Sequence, residues 1–211
     1  MKISDFLAAN WQRIIDLTLG HIELSLYAVG IALAIGIPLG ILCYCLRPIA
    51  VVVLNLVSVI YTVPTLALFG IMIPLLGIGV VPAIVAVVLY SLLPIVQGTY
   101  TGLIAVAPEI RESATGIGMG AGTRLWRVDL PLAIPVIFGG LRVAVVNAVG
   151  MMTLASLIGA GGLGDMVFRG ISTLSWGLVL AGSLPLLLLA ILADLGLRTV
   201  ERRLRAGQAS S

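Results

Sequence analysis

Gly116, Gly118 and Ala121 stand at G-x-G-x-x-A spacing, the pattern that lets a backbone turn tightly against a pyrophosphate. That fingerprint carries meaning only after a strand and inside a βαβ unit. A long apolar run precedes it here, so these glycines are read as folding a turn, not as binding a dinucleotide. ATP hydrolysis through a P-loop needs a lysine at G-x-x-x-x-G-K-[ST] spacing. Lys2 is the only lysine in the sequence, and no P-loop can be drawn through it. Cys43 and Cys45, with one residue between them, point to different sides of a helix, which disfavours both a disulfide and a metal pair. The expectation is a chain with no catalytic residues, no metal site and no bound cofactor of its own.

Ion-coupled transport would place an ionisable group near the membrane midplane, where its cost marks a function. Glu23 and His21 are expected to precede the first span. Glu109, Glu112 and Asp129 fall in a loop, Asp165 lies between spans, and Asp194 is within a turn of the last span's inner end. An ion-coupled secondary transporter of a small polar solute is therefore the disfavoured alternative; a scaffold or channel subunit is more remote. The uncharged polar residues Asn55, Gln97, Asn147 and Thr153 are candidates to line a path, with interhelical hydrogen bonding as the competing reading of each. Arg142 is the one basic residue clearly inside an apolar run. It could snorkel toward the cytoplasm, pair with an acid on another helix or line the inner vestibule, and a structural or gating role is preferred to direct ligand binding.

The elements that must carry these groups are apolar helices. Of 211 residues, 60% are hydrophobic and 10% charged, with a mean hydropathy of +1.20, against roughly 25% charged in a soluble domain. Leu24 to Leu46, Val80 to Val106, Leu132 to Ile158 and Leu174 to Leu197 each reach the roughly 20 apolar residues of a span. From Ile49 to Leu76 the run is interrupted by Asn55, Pro64, Gly70 and Pro74, which predicts a span ending near Pro64 and a shorter segment at membrane depth. The fold class expected is an all-α polytopic membrane protein of about five transmembrane helices, six if the interrupted run counts twice.

Ahead of the first span, Ile3, Phe6, Leu7, Trp11, Ile14 and Ile15 recur at helical spacing, opposite Lys2, Asp5, Gln12, Arg13 and Asp16, and the pattern lapses at Thr18. This predicts an interfacial helix leading into the first span. The division expected is an amphipathic segment over 1–20, a transmembrane domain over 21–202 and a tail over 203–211. Arg198, Arg202, Arg203 and Arg205 follow the last span, where positive charge marks the cytoplasmic side. Five spans put Arg47, Arg111, Arg124 and Arg127 on that side too, and leave Lys2, Arg13 and Arg169 outside. The N-terminus is thus expected outside and the C-terminus in the cytoplasm. The net charge of +3 reflects this arrangement, and nucleic-acid binding is not expected.

One segment is unlike the rest. Pro108 to Pro131, PEIRESATGIGMGAGTRLWRVDLP, holds Glu109, Arg111, Glu112, Arg124, Arg127 and Asp129 in 24 positions. Pro108 suits a first helical turn, with Glu109 and Glu112 near its positive end. Gly116, Gly118, Gly120 and Gly122 fold the chain back. A second short helix is expected over Thr123 to Val128, broken by Pro131 before the next span. Flexible glycines alone would not account for the charge, whereas a docking surface for a cytoplasmic partner accounts for both.

The segment resembles the coupling motif of type I ABC importer permeases, E-A-A, three residues, G, nine residues, I-x-L-P. It falls on Glu112, Ser113, Ala114, Gly118, Val128, Leu130 and Pro131, with Ser113 and Val128 as conservative departures. HIELSLYAVGIALAIGIPLG at the first span, YTVPTLALFGIMIPLLGIG at the second and LIGAGGLGDMVFRG after the fourth are similar to the osmoprotectant branch, whose substrates include glycine betaine, carnitine and choline. The resemblance implies an importer permease in the bacterial cytoplasmic membrane, used in osmotic stress. Two ABC ATPase subunits, which carry ATP and Mg, would receive the loop in a cleft. A second permease, identical or paralogous, would complete the pathway, and an extracytoplasmic substrate-binding protein would deliver the solute. It also implies that Gly159 to Gly170, with Asp165, lies near the external gate, where a plain connector is the competing reading. Quaternary ammonium groups are recognised by aromatic cages, but Trp11 and Trp176 are expected at the outer interface and Trp126 in the loop. Selection is therefore expected to rest mainly on the binding protein.

Overall fold

The computed structural model describes residues 10–209, so Lys2, Ile3, Asp5, Phe6 and Leu7 of the amphipathic pattern lie outside the described residues. The helices in chain order are α1 (Trp11–Cys45), α2 (Arg47–Thr62), α3 (Thr65–Leu76), α4 (Val80–Ile104), α5 (Pro108–Gly116), α6 (Ala121–Arg124), α7 (Leu130–Ala155), α8 (Gly164–Ser172) and α9 (Trp176–Ala209). A wide π turn, Leu125–Asp129, joins α6 to α7, and a short 3-10 turn, Ser156–Ile158, follows α7. There is no strand among the described residues. Four continuous helices are long and apolar enough to cross a membrane, and α2 with α3, bent by 99°, reaches the same length and apolarity only as a pair, which makes four or five candidate spans. The bend falls at Val63 and Pro64, where the proline imposes extended backbone on the residue before it.

The structure differs from the sequence reading at the starts of the first and fourth spans. No joint separates an interfacial helix from the first span: α1 runs unbroken for 35 residues, about 52 Å at 1.5 Å per residue. Thr18, where the pattern lapses, turns its hydroxyl back to the Ile14 carbonyl at 2.6 Å and stays in the helix. Protein covers one side of this stretch, where Ile14, His21 and Ser25 all face the bundle. His21, expected outside the spans, is fully buried and hydrogen-bonds through Nε2 to the Val149 carbonyl at 3.0 Å. Pro131, expected to break the chain before the fourth span, does not. The π turn shifts the register, with the Leu130 N–H donating to the Leu125 carbonyl, and the helix passes a proline that has no N–H to give.

The bundle is assembled around α4, which packs against α1 on one side and α7 on the other. Its buried face is built of small and branched residues, among them Ala83, Ala86, Val87 and Val96. In lipid no hydrophobic force drives helix to helix, so close van der Waals approach must do it, and small residues permit that approach. Gly36 and Gly40 of α1 are four apart and face α4: a Cβ on Gly36 would lie 2.7 Å from Ile95 Cγ2, and one on Gly40 2.5 Å from Thr99 Cβ. Where α4 meets α7, a Cβ on Gly98 would lie 3.1 Å from the Gly140 Cα, and one on Gly140 would fall on the Pro94 carbonyl oxygen. Gly30, by contrast, faces open space. Cys43 is buried and Cys45 exposed, on different sides of α1.

Gly40→Ala should lower the unfolding free energy of the detergent-purified permease by about 1–3 kcal/mol. Gly30→Ala should leave it unchanged or raise it by about 1 kcal/mol at most. Equal unfolding midpoints for the two variants would show that backbone approach is not what holds α1 to α4.

Candidate functional site: a clamped elbow and a polar pocket

The loop over residues 108–131 is an elbow of two helical arms. Pro108 fills the first turn of α5, where a missing N–H is harmless. Ser113 and Thr115 hydrogen-bond back to the Glu109 and Arg111 carbonyls, each at 2.8 Å. At its far end the Met119 N–H reaches the Ala114 carbonyl at 3.1 Å, across Gly118, whose φ is +87°. A left-handed residue closing a helix in this way favours glycine strongly. Of the residues carrying the motif, Ala114 is buried, Val128 and Leu130 are half-buried, and Glu112, Ser113, Gly118 and Pro131 are exposed. Three large apolar side chains of the elbow, Ile110, Ile117 and Trp126, are exposed as well.

A single carboxylate holds the elbow to the bundle. Asp129, in the π turn, is fully buried. The Tyr44 hydroxyl, at the inner end of α1, donates to its Oδ2 at 2.8 Å, and Arg124 Nε donates to the same oxygen at 3.4 Å. Arg111 Nε lies 3.6 Å from Oδ1. The Arg111 guanidinium also stacks 5.5 Å from the centre of the Tyr44 ring and donates to the Leu103 carbonyl at the end of α4. Arg124 Nη1 reaches the Thr115 hydroxyl of α5 at 3.3 Å. Three helices, α1, α5 and α6, thus meet the π turn at Asp129, and Arg111 extends the contact to the end of α4. Sequence reasoning placed Asp129 in the loop without seeing this role. A carboxylate just before a span, with arginines 5 and 18 residues upstream, was the available signal.

Arg142 resolves among its three readings by pairing. Its Nε lies 3.1 Å from Asp194 Oδ1 and its Nη1 2.9 Å from Glu201 Oε2, both on α9. Arg205 completes the group at 2.9 Å from Glu201 Oε1. On the opposite side of the bundle, Asp165 pairs with Arg169 at 3.1 Å within α8. The glycine loop ahead of it is ordered: Gly159, Gly161 and Gly162 have positive φ, and Gly162 lies against His21.

The remaining pathway candidates divide. Asn55, Pro64 and Gln97 are exposed on the bundle surface. Thr153 is occupied with the Val149 carbonyl of its own helix at 3.3 Å. Asn147 alone joins a cluster: its Nδ2 donates to the Tyr61 hydroxyl at 3.0 Å, and the Tyr61 and Tyr90 rings pack 5.5 Å apart at 49°. These residues line a cavity of about 330 Å³ with Thr65, Gly150 and Leu154. The two tyrosines were missed in the sequence, because a separation of 29 residues across a broken span carries no local signal.

Residues 36–206 match the family described as binding-protein-dependent transport system inner membrane component. The osmoprotectant import permease protein OsmW of Salmonella typhimurium is 46% identical over 92% of this chain and 93% of its own length. The choline transport system permease protein OpuBB of Bacillus subtilis is 41% identical over 96% and 93%. The glycine betaine/carnitine/choline transport system permease protein OpuCB of the same organism is 40% identical over the same shares. Among solved structures, an inward-facing form of the MetNI methionine ABC transporter superposes with a TM-score of 0.82, at 20% identity over 90% of this chain and 95% of that one. An amino acid ABC transporter with histidines gives 0.81, at 18% identity over 96% and 99%. The fold is therefore that of type I ABC importer permeases.

Asp129→Asn removes the charge that Arg111 and Arg124 share. Breaking such a buried pair should destabilise the purified permease by about 3 kcal/mol. It should also speed tryptic cleavage after Arg124 and Arg127, read as the appearance rate of the two fragments. Unchanged melting and unchanged cleavage would show that Asp129 does not anchor the elbow.

Proposed function

We infer that this chain, which belongs to the binding-protein-dependent transport system inner membrane component family, is the permease subunit of an ATP-driven importer of quaternary-amine osmoprotectants such as glycine betaine, carnitine or choline. One observation carries the transport reading: an elbow that exposes Ile110, Ile117 and Trp126 beside Glu112 while its underside is bound to the bundle through Asp129. Apolar side chains left uncovered in a charged loop have the character of a docking surface. The substrate class is carried over from the relatives' names.

In this reading the family's coupling residues, Glu112, Ser113, Ala114, Gly118, Val128, Leu130 and Pro131, shape an arm that enters a cleft of a partner ATPase. Two such ATPase subunits hold ATP and Mg, since Lys2, the only lysine, cannot serve a P-loop here. A second permease, identical or paralogous, faces this one across the pathway, and an extracytoplasmic binding protein docks on the side of Asp165 and the 159–170 loop. The chain lies in the bacterial cytoplasmic membrane with its N-terminus outside and its C-terminus in the cytoplasm. The segment over 1–20 leads in, 21–202 forms the permease domain, and 203–211 is the tail. Asn55, Gln97, Asn147 and Thr153 belong to the path, Pro64 and Asp165 to the path or its gate, and Arg142 to a strut that ties the middle of α7 to Asp194 and Glu201 of α9.

ATP binding draws the two ATPase subunits together and with them the two elbows. Arg111 ties α5 to the end of α4, and Asp129 ties it to the start of α7, so the pull reaches both spans without passing through a slack loop. The cavity turns outward to receive solute, and hydrolysis returns it inward. This is gating between two packed arrangements.

The complete complex in proteoliposomes should accumulate labelled glycine betaine or choline only with ATP and the binding protein present. Uptake that persists without ATP would sink the ABC reading. Glu112→Arg should lower ATP-driven uptake by about tenfold or more, or prevent assembly with the ATPase, as reversing a docking charge does. Wild-type uptake by that variant would remove Glu112 from the docking surface.

A further inference from the structure

Tyr61, Tyr90 and Asn147 meet where the backbone is least regular. Tyr61 and Thr65 flank the 99° bend between α2 and α3. Non-helical backbone at membrane depth is tolerated only where protein covers it or where it lines a water-filled cavity. The depth is central. Tyr90 is ten residues from the start of α4 and Asn147 eight residues from the end of α7, which is about 12–15 Å below the outer ends of both helices. The hydrocarbon layer is about 30 Å thick.

Three features of the cavity bear on what it would hold. Its walls include two aromatic rings and the Asn147 amide, and no charged side chain. Tyr90 is only 7% exposed, yet its hydroxyl has no hydrogen-bond partner. A buried hydroxyl left unpaired in a lined cavity is unusual and costs the protein stability unless something else satisfies it. The volume, about 330 Å³, is at the lower end of the roughly 300–1,000 Å³ of small-molecule sites.

We propose that Tyr61, Tyr90 and Asn147 form a midplane subsite in the pathway for the trimethylammonium group of the transported solute. The proposal rests on the functional reading above and gives that pathway a place for its cargo. The ring faces attract the methylated cation through their quadrupoles. The free Tyr90 hydroxyl meets the carboxylate or hydroxyl that glycine betaine, carnitine and choline carry beside the cation. Asn147 holds the Tyr61 hydroxyl and so fixes the tilt of that ring. Without a counter-charge in the lining the cation is not trapped, as a site on a conduction path requires: binding must be favourable enough to enter and weak enough to leave.

The test uses the complete transporter in proteoliposomes with labelled glycine betaine, measuring uptake and ATP hydrolysis together. Tyr61→Leu and Tyr90→Leu should each cut uptake about tenfold or more, while hydrolysis stimulated by the loaded binding protein stays within about twofold of wild type. Tyr90→Trp should retain uptake. Because leucine also changes packing, a second series keeps the ring: phenylalanine at position 90 carrying successively more fluorines, which weakens the quadrupole at nearly constant shape. Uptake should fall stepwise along it. Leucine variants with wild-type uptake, equal loss of uptake and hydrolysis, or a fluorine series without gradation would each overturn the subsite. A wild-type complex that imports no quaternary amine at all would overturn the functional reading and the subsite with it.

Discussion

The arrangement depends on the neutralisation of one buried carboxylate. A charge withdrawn from water is tolerated only when paired and hydrogen-bonded, and Asp129 draws its partners from three separate stretches of chain: Tyr44, Arg111 and Arg124. Each partner is committed elsewhere as well, Arg111 to the Tyr44 ring and the Leu103 carbonyl, Arg124 to Thr115. The elbow therefore cannot pivot freely on its glycines. Moving α5 relative to the spans requires opening an ion pair whose carboxylate is fully buried, so the arm and the spans move as one piece.

A chain with so few charges places most of them toward helix ends. Asp129 with its arginines lies at the end on which the sequence places the cytoplasm and Asp165 with Arg169 at the other, while Arg142, midway along α7, reaches Asp194 and Glu201 of α9. Between these tiers the helices are held by shape. Gly36 and Gly40 against α4, and Gly98 against Gly140, bring backbones close enough for dispersion to replace the hydrophobic force that lipid cannot supply. Of the polar groups left at mid-depth, Tyr61, Tyr90 and Asn147 are uncharged, and the one cation, Arg142, is paired with acids of α9.

Much of this was legible in the sequence because it is local. Apolar run length marked the spans, Pro64 the break, Pro108 the start of α5 and the glycine row from Gly116 to Gly122 the fold-back after it. The misreadings came where a local signal was overruled from a distance. Thr18 and His21 looked like the end of an amphipathic pattern because the sequence does not show that Val149 and Gly162, more than 120 residues later, cover that side of α1. Pro131 looked like a breaker because periodicity cannot foresee a π turn. The partners of Asp129 and the Tyr61–Tyr90 pair were invisible for the same reason: tertiary packing alone brings those residues together.

The clamp and the tyrosine pocket share their two helices. α4 carries Tyr90 and ends beside the Leu103 carbonyl that Arg111 grips; α7 begins directly after Asp129 and carries Asn147. Thirteen residues of α4 and eighteen of α7 separate the two sites, about 20 and 27 Å of helix. Partway along, Gly98 and Gly140 lock the helices together. A close-packed contact of that kind is not continuously compressible; it holds in one arrangement or re-forms in another. In the proposed cycle, force applied at the elbow is accordingly not dissipated along the spans. It arrives at Tyr90 and Asn147 as a change in how the two helices face each other, while Tyr61 stands on the separate, broken span. The pocket is thus composed of parts that the elbow moves and a part that it does not, which is the condition for a site that can open and close.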